Sequence, residues 1–361
     1  MLERIWKKII RRKAFSPWAI PALGLWLCSV VYRLLFRFKK AAVRADVKVD
    51  IPVVCVGNIT VGGTGKTTMV EFLTRFLMKE GLRVGIVSSG YGRSGERSFV
   101  EPGYRVQKMP VAQTGDEVKL LANLLPEAFF SVDRVKARAA VNLAVAGVVD
   151  LMLVDDGFQH FRLARDLDIV TFDAAIDRRL LRSFPAGLLR EPMSSLRRAD
   201  VVIATRSNFA EDLGVLKKEL QSLSPRAQLY CSQFLIAELR GRDRRLPLKY
   251  LEDKSVFLFA GVGNFKPLRR QVAARCADLD DALELSDHQV YDERLLNRIK
   301  TDADRHDSDV IITTGKDWVK LPDFAFGREI YYLAQSTDLD PGEEKLVEYL
   351  IDRLDLRKRE S

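Results

Sequence analysis

Cysteine and histidine are both scarce in this chain of 361 residues, which has four of the first and three of the second. No Cys-x-x-Cys pair occurs, and no histidine lies at ligand spacing from the scattered cysteines, Cys28, Cys55, Cys231 and Cys276. This pattern argues against a cysteine-based metal site and favours cysteines that act as buried hydrophobic residues in a reducing compartment. Counting alone leaves one or two disulfides open.

Beyond residue 50 the chain lacks a charge excess of either sign. Lys and Arg number 58 in the whole chain against 49 Asp and Glu, a net charge of +9. Residues 1–50 hold 12 of the basic and 3 of the acidic side chains, which accounts for the entire excess. A basic excess confined to one terminal arm suits an anionic surface rather than a groove for a nucleic acid duplex. We therefore expect a membrane surface as partner and no nucleic acid, and nothing in the sequence indicates an obligate protein partner.

Internal repeats and low-complexity tracts are also absent. A hydrophobic content of 47% is enough to bury a full core and excludes a disordered protein. The length is typical of about two domains.

Long uncharged runs are rare, and the most prominent lies in the basic arm at residues 14–32. Its 19 residues approach the roughly 20 that a membrane-spanning helix needs. Three helix-breaking residues interrupt it, namely Pro17, Pro21 and Gly24. Cations flank both ends, so the positive-inside rule gives no orientation, and no Ala-x-Ala cleavage site follows. We expect a membrane-associated helix in residues 1–48, with an amphipathic helix that covers the globular part as the alternative.

Residues 53–68 carry the strongest functional signal. Their sequence, VVCVGNITVGGTGKTT, joins an apolar run to a glycine-rich turn, and apolar residues at helical spacing follow up to Gly81. Glycines let backbone N–H groups surround a polyphosphate, Lys66 supplies charge to the β- and γ-phosphates, and the Thr67 hydroxyl can bind Mg²⁺. We predict an ATP and Mg²⁺ site formed by Asn58, Ile59, Thr60, Val61, Gly62, Gly63, Thr64, Gly65, Lys66, Thr67 and Thr68.

The loop departs from the strict Walker pattern at one position, because Thr60 replaces a glycine. Its doubled Gly62-Gly63 resembles the loop of ATPases that act as switches, although those often carry a lysine where this chain has Val61. A membrane-associated P-loop ATPase switch of the partitioning type is therefore the alternative function.

After residue 49, short apolar runs alternate with helical patterns, which is typical of a parallel sheet covered by helices on both faces. The predicted strands are residues 51–56, 84–88, 151–154, 167–172, 201–204, 256–260 and 310–314. The arginine-rich stretch around residue 240 indicates a domain junction. We predict an α/β protein with a P-loop nucleotide-binding core at 49–240, a smaller C-terminal α/β domain at 241–361 and the membrane-associated segment at 1–48.

The predicted strand 151–154 ends in two carboxylates, Asp155 and Asp156. In P-loop proteins an acid at this strand end holds Mg²⁺, directly or through water. His160 follows closely, and it is either a structural histidine or a part of the active site that touches phosphate or acceptor.

Several motifs together make the chain resemble the tetraacyldisaccharide 4′-kinases. These enzymes phosphorylate a lipid A precursor in Gram-negative envelopes. The resemblance covers nearly the whole chain and rests on ordered motifs at residues 57–67, 89–93, 115–117, 155–160, 185–192, 260–264 and 313–317. The chain departs from the family pattern at Thr68, where proline is usual, at Gly315, where glutamate is expected, and at residues 286–289.

The resemblance implies transfer of the ATP γ-phosphate to the 4′-hydroxyl of a tetraacylated glucosamine disaccharide 1-phosphate, at the cytoplasmic face of the inner membrane. A sugar hydroxyl is a poor nucleophile, so a proton acceptor helps its attack. By similarity Asp116 is that base, and His288 from the C-terminal domain orients or shares the proton, which makes catalysis depend on domain closure. From sequence alone, Asp116 could equally be a helix N-cap.

The resemblance also assigns the remaining site residues. Thr67, Asp155, Asp156 and Glu191 are expected around Mg²⁺, and Lys66 is expected to act on the transferred phosphate. Tyr91, Arg93, His160 and Arg190 are the candidates for contact with the acceptor or phosphate.

Overall fold

The computed structural model describes residues 2–11, 17–95, 97–262, 265–286 and 289–356, and only the backbone of residues 2–4, 7, 234 and 280. Its described part contains one sheet of thirteen strands with helices on both faces. The strands are β1 (Val53–Asn58), β2 (Val84–Ser88), β3 (Phe99–Pro102), β4 (Phe129–Val132), β5 (Leu151–Asp155), β6 (Leu167–Asp173), β7 (Val201–Thr205), β8 (Gln228–Arg240), β9 (Arg245–Pro247), β10 (Ser255–Ala260), β11 (Asp278–Glu284), β12 (Val310–Thr314) and β13 (Glu329–Asp340).

Twelve α-helices accompany the sheet in the described residues. They are α1 (Leu2–Ile10), α2 (Ala19–Ala42), α3 (Lys66–Lys79), α4 (Gly103–Val106), α5 (Val111–Thr114), α6 (Asp116–Leu124), α7 (Lys136–Ala146), α8 (Leu213–Leu223), α9 (Phe265–Ala273), α10 (Glu293–Arg305), α11 (Gly315–Trp318) and α12 (Glu343–Arg353). Short 3₁₀ helices lie at Arg178–Leu180, Met193–Arg198, Ser207–Phe209 and Leu248–Leu251.

The strand order is β11-β10-β12-β13-β8-β7-β6-β1-β5-β2-β4-β3, with β9 paired to β8. Pairing is parallel except for β13 with β8, β3 with β4 and β8 with β9. The predicted α/β architecture with a mostly parallel, helix-covered sheet is confirmed. All seven predicted strands are present, as β1, β2, β5, β6, β7, β10 and β12.

Strand periodicity explains why helices cover both faces. Val54 and Val56 of β1 point to the side where α3 packs through Met69 and Leu73, all fully buried. The alternate residue Cys55 points to the opposite side and joins the cluster that contains α8. Because successive strand residues face opposite ways, a strand that is apolar throughout must be covered twice.

The same arrangement repeats in the C-terminal part. Leu258 of β10 packs with the α9 side, and Phe257 and Phe259 pack with α10 on the other side. The two parts meet along β8 and β13, which are long antiparallel neighbours. Strand β8 ends at Arg240, close to the predicted junction, but one sheet continues across this point, so the division into two domains stays a prediction.

The N-terminal arm consists of α1 and α2. Helix α2 extends past the uncharged run and includes basic residues in its C-terminal half. Among the described helices it is the one with the length and composition to cross a membrane, with a mean hydropathy of 1.7 over its most apolar window and 11% of that window buried. Its outward side chains are Ile20, Leu23, Trp26, Leu27, Val31, Leu34, Leu35 and Phe38, all exposed.

One edge of the arm rests on the globular part. Trp6 donates from Nε1 to the carbonyl oxygen of Pro185 at 2.7 Å, and the Tyr32 hydroxyl donates to the carbonyl oxygen of Arg190 at 3.0 Å. The Tyr32 ring also lies 5.7 Å from that of Phe184 in an edge-on arrangement. The arm is therefore attached to the segment 184–190, part of which reaches the candidate site.

Candidate active site

The glycine-rich loop connects β1 to α3, as the sequence predicts. Gly62 and Gly65 adopt φ values of +110° and +78°, which side chains other than glycine rarely adopt. The loop is braced from inside: Asn58 Nδ2 donates to Thr64 Oγ1 at 2.9 Å, and Thr205 Oγ1 donates to the Thr64 carbonyl oxygen at 3.0 Å. These bonds hold the loop open at the N-terminus of α3, where backbone N–H groups and the helix dipole favour an anion.

Lys66 and Thr67 occupy the first turn of α3. The Lys66 Nζ lies 3.5 Å from Asp156 Oδ1, at the carboxyl end of β5. The structure therefore places the P-loop lysine, predicted to act on phosphate, beside one of the two acids predicted to bind Mg²⁺.

Asp156 also receives Arg190, whose Nη1 lies 3.1 Å from both carboxylate oxygens. Burial works to raise the pKa of Asp156, but Lys66 and then Arg190 outweigh it and hold that pKa well below its ordinary value. Its backbone has a φ of 50°, in the left-handed region that costs energy for a residue with a side chain. A strained, firmly ionised carboxylate thus lies beside the phosphate loop.

Lys136, which was not identified from the sequence, supports the backbone at Asp155 and Asp156. It is buried at the start of α7, and its Nζ donates to the carbonyl oxygens of Asp155 at 2.6 Å and Asp156 at 2.7 Å. A lysine that opens an ordinary helix gives no sequence signal for such a role, because its partners lie about twenty residues further along the chain.

Asp155 differs sharply from its neighbour. Burial first, and then the nearby Glu117 carboxylate, raise the pKa of Asp155 to about 6. Its Oδ1 atom is buried and has no hydrogen-bond partner among the described residues. A desolvated, unpartnered carboxylate oxygen suits a divalent cation, which prefers oxygen ligands. The residues at this strand end therefore fit the predicted Mg²⁺.

Glu191, the remaining acid of the predicted metal set, is engaged elsewhere. Arg198 Nη1 donates to its Oε2 at 2.8 Å, and Gln159 Nε2 donates to its Oε1 at 2.9 Å. Within the described ranges no three His, Cys, Asp or Glu side chains come together in a way that could hold a metal. The structure thus brings Asp155 and Asp156 together with the P-loop, whereas the contacts of Glu191 are those of a buried ion pair.

Asp116 is the first residue of α6 and is buried. Its Oδ1 accepts the N–H of Glu117 at 3.0 Å, a short-range contact at the helix start that suits the capping interpretation. The N-cap itself is Gly115, not Asp116. His288, the predicted partner of Asp116, lies outside the described residues.

The candidate substrate residues differ in exposure and in their contacts. Arg93 is buried and donates from Nη1 to the Arg97 carbonyl oxygen at 2.8 Å, while Tyr91 is 70% exposed. Desolvation and the nearby Lys136 lower the pKa of His160 to about 4, although the residue as a whole is exposed. His160 therefore lies near the acids as a neutral imidazole at physiological pH.

The comparisons with known proteins agree with this geometry. Residues 21–355 match the model of the family described as LpxK, tetraacyldisaccharide-1-P 4′-kinase. The chain belongs to this family.

Relatives named tetraacyldisaccharide 4′-kinase include one from Geobacter metallireducens, 34% identical over 91% of this chain and 97% of that protein. Another, from Syntrophotalea carbinolica, is 36% identical over 82% of this chain and 81% of that protein. The crystal structure of LpxK from Aquifex aeolicus in complex with ATP superposes with a TM-score of 0.72 at 26% identity, over 92% of this chain and 99% of that one. The fold, the kinase family and the use of ATP that the sequence predicts are thereby confirmed.

Proposed function

We propose that this chain transfers the γ-phosphate of ATP to the 4′-hydroxyl of a tetraacylated glucosamine disaccharide 1-phosphate, in the biosynthesis of lipid A. The observation that carries the proposal is the junction of three features: a P-loop, two acids of opposite ionisation behaviour, and an apolar arm attached to the same cleft. Family membership supplies the acceptor, because the relatives are named for it.

Lys66 and Arg190 neutralise the phosphate charge in this proposal. Both contact Asp156 in the structure, so each is already held at the mouth of the P-loop. Binding of the ATP phosphates at the N-terminus of α3 offers these cations a stronger partner, and charge spread over the transferred group is stabilised by groups already in position.

Asp155, Asp156 and Thr67 are the residues that would hold Mg²⁺. A cation held by these residues would supply positive charge beside the phosphates. Lys136 contributes by fixing the backbone of both acids, so that their carboxylates need not reorganise.

Asp116 is proposed to accept the proton of the sugar hydroxyl, with His288 as its partner. Asp116 is the first residue of α6, is buried and directly precedes Glu117. The Glu117 carboxylate is near enough to Asp155 to raise its pKa, so we place the proposed base close to the metal-binding acids. The acceptor would enter past Tyr91, Arg93 and His160.

The arm is proposed to place the enzyme at the cytoplasmic face of the inner membrane. Its outward side chains are apolar and large, its flanks are basic, and its inner edge contacts the carbonyl oxygen of Arg190. A lipid substrate presented at the membrane surface would then meet the cleft directly.

Replacement of Asp116 by asparagine tests the catalytic role. Asparagine keeps an oxygen that can accept the Glu117 N–H, so a pure capping role predicts turnover close to wild type, whereas loss of the base predicts a kcat lower by about 10²–10⁴. The matched control is Asp212→Asn. Asp212 caps α8 through its side chain and has no role in the proposed site, so this variant reports the effect of changing a capping aspartate alone. Losses of Asp116→Asn and His288→Asn that multiply fully in the double variant would contradict a dyad.

The alternative, a nucleotide switch, lacks support from the comparisons. The family and its relatives are named as kinases, and the doubled glycine of the loop is compatible with both functions.

A further inference from the structure

The motif at residues 313–317 has no part in the site described so far, yet it reaches that site from the far end of the chain. Lys316 lies in α11 and its Nζ forms an ion pair with Oε1 of Glu117 in α6, although 199 residues separate the two. Glu117 directly follows the proposed base, Asp116. The ion pair therefore links the C-terminal part of the protein to the first turn of α6.

Helix α11 is itself held firmly in its own domain. Asp317 is fully buried, and its Oδ2 accepts from the Gly261 N–H at 2.9 Å and from Thr314 Oγ1 at 2.7 Å. The Lys320 Nζ lies 3.1 Å from Oδ1 of Asp317. These contacts fix α11 to the end of β10, so the backbone from which the Lys316 side chain extends is held in place.

The two helices also pack closely. A Cβ atom added to Gly315 would lie 3.2 Å from Cδ1 of Leu120, a contact tighter than side chains normally make. Glycine at this position, where related kinases are expected to carry glutamate, thus lets α11 approach α6 and brings the Lys316 ammonium to Glu117.

The first turn of α6 needs such support because its own cap is weak. Gly115 at the N-cap supplies no side-chain hydrogen bond and has a φ of 84°. The contact of Asp116 Oδ1 with the Glu117 N–H is local to this turn, so the orientation of the helix start depends on tertiary contacts as well.

We propose that Lys316 is a positioning residue for phosphoryl transfer: its ion pair with Glu117 orients the first turn of α6, and with it Asp116, when the C-terminal domain is docked. This inference rests on the proposed role of Asp116 as base. Because this effect is exerted through the position of Asp116, it falls on kcat rather than on ATP affinity, and a small misplacement of a catalytic group is costly.

The test compares Lys316→Met, which removes the charge, with Lys316→Arg, which keeps it, and with Lys249→Met, an exposed lysine of the same domain. Transfer from ATP to a lipid A disaccharide precursor is measured in mixed micelles, together with thermal unfolding. We expect kcat of Lys316→Met to fall about 10-fold with KM for ATP changed by less than about threefold, and Lys316→Arg to recover most of kcat. Lys249→Met should match wild type.

Glu117→Gln removes the same ion pair from the other side and shows whether Lys316 acts through Glu117. In the Glu117→Gln background, adding Lys316→Met should lower kcat by less than about twofold. Wild-type kcat in Lys316→Met, an undiminished loss in the Glu117→Gln background, or an equal loss in Lys249→Met would each overturn the inference. Full activity of Asp116→Asn would instead overturn the proposed base, so the two failures are distinguishable.

Discussion

Replacement of Asp155 by asparagine should make the protein more stable at neutral pH while it stops phosphoryl transfer. Asp155 is buried, and its pKa is raised from an ordinary 3.8 to about 6, first by burial and then by Glu117. The folded protein therefore holds this proton more tightly than the unfolded chain. Wild type should lose stability as pH rises from about 4 to about 6, and the cost should stay constant above that.

The size of this cost follows from the shift. A rise of the pKa from 3.8 to about 6, at about 1.36 kcal/mol for each unit of pKa, corresponds to about 3 kcal/mol at pH 7.5. Asparagine has nearly the same shape and carries no charge, so it avoids the cost. At pH 4 the carboxyl is mostly protonated in the folded state, and the difference between the two proteins should shrink below about 1 kcal/mol.

Urea unfolding of both proteins without nucleotide or Mg²⁺, at pH 7.5 and at pH 4, measures the two differences. Comparison at each pH cancels the titrating groups that do not interact with Asp155, and the neighbouring Glu117 and Asp156 carboxylates are part of the measured difference. An Asp155→Asn protein that is no more stable than wild type at pH 7.5, or a gap that does not change with pH, would refute the reasoning. Phosphoryl transfer at the wild-type rate in Asp155→Asn would refute the metal-binding role of Asp155.

Three further predictions concern the loop, a buried ion pair and the arm. Lys66→Met should lower transfer by about 10²-fold or more, since it removes a charge that acts on the migrating phosphate, and wild-type turnover in a kinetic assay would exclude this contact. Arg198→Met should destabilise the fold by about 3–5 kcal/mol in urea unfolding, because it leaves the Glu191 carboxylate buried without its cation; a loss below about 1 kcal/mol would contradict this. Changing the exposed residues Leu23, Leu27 and Leu34 to glutamine should reduce vesicle binding about tenfold or more with ATP binding intact, whereas Val145→Gln on α7 should have no effect; unchanged vesicle binding in the triple variant would place the anchor elsewhere.

The sequence predicted the central strands because they are apolar throughout. The two edge strands of the sheet do not show this pattern and were not predicted. Strand β11 reads DLDDALE and lies at one edge of the sheet, and β3 is a four-residue edge strand at the other. Strand β13 mixes polar and apolar residues, and several of its polar residues are exposed although it pairs with β8 along its length. An edge strand needs little apolar surface, so hydrophobic periodicity does not reveal it.

The site shows the same division between local and long-range information. The P-loop and the acids after β5 are contiguous motifs, so their chemistry was readable from the chain. Glu117 and Lys136 act through partners far away in sequence, and only the fold brings them to Asp155. Glu191 was predicted through its motif to bind Mg²⁺, whereas the structure pairs it with Arg198, which lies seven residues on and carried no signal of its own.

The most direct test of the central claim is incubation of the purified protein with γ-³²P-labelled ATP, Mg²⁺ and a tetraacylated glucosamine disaccharide 1-phosphate in mixed micelles, followed by thin-layer chromatography. Wild type should form a labelled lipid whose label sits on the 4′-oxygen, and Lys66→Met should form none. Label that appears in free phosphate, with none in the lipid, would contradict the account and identify the protein as an ATPase.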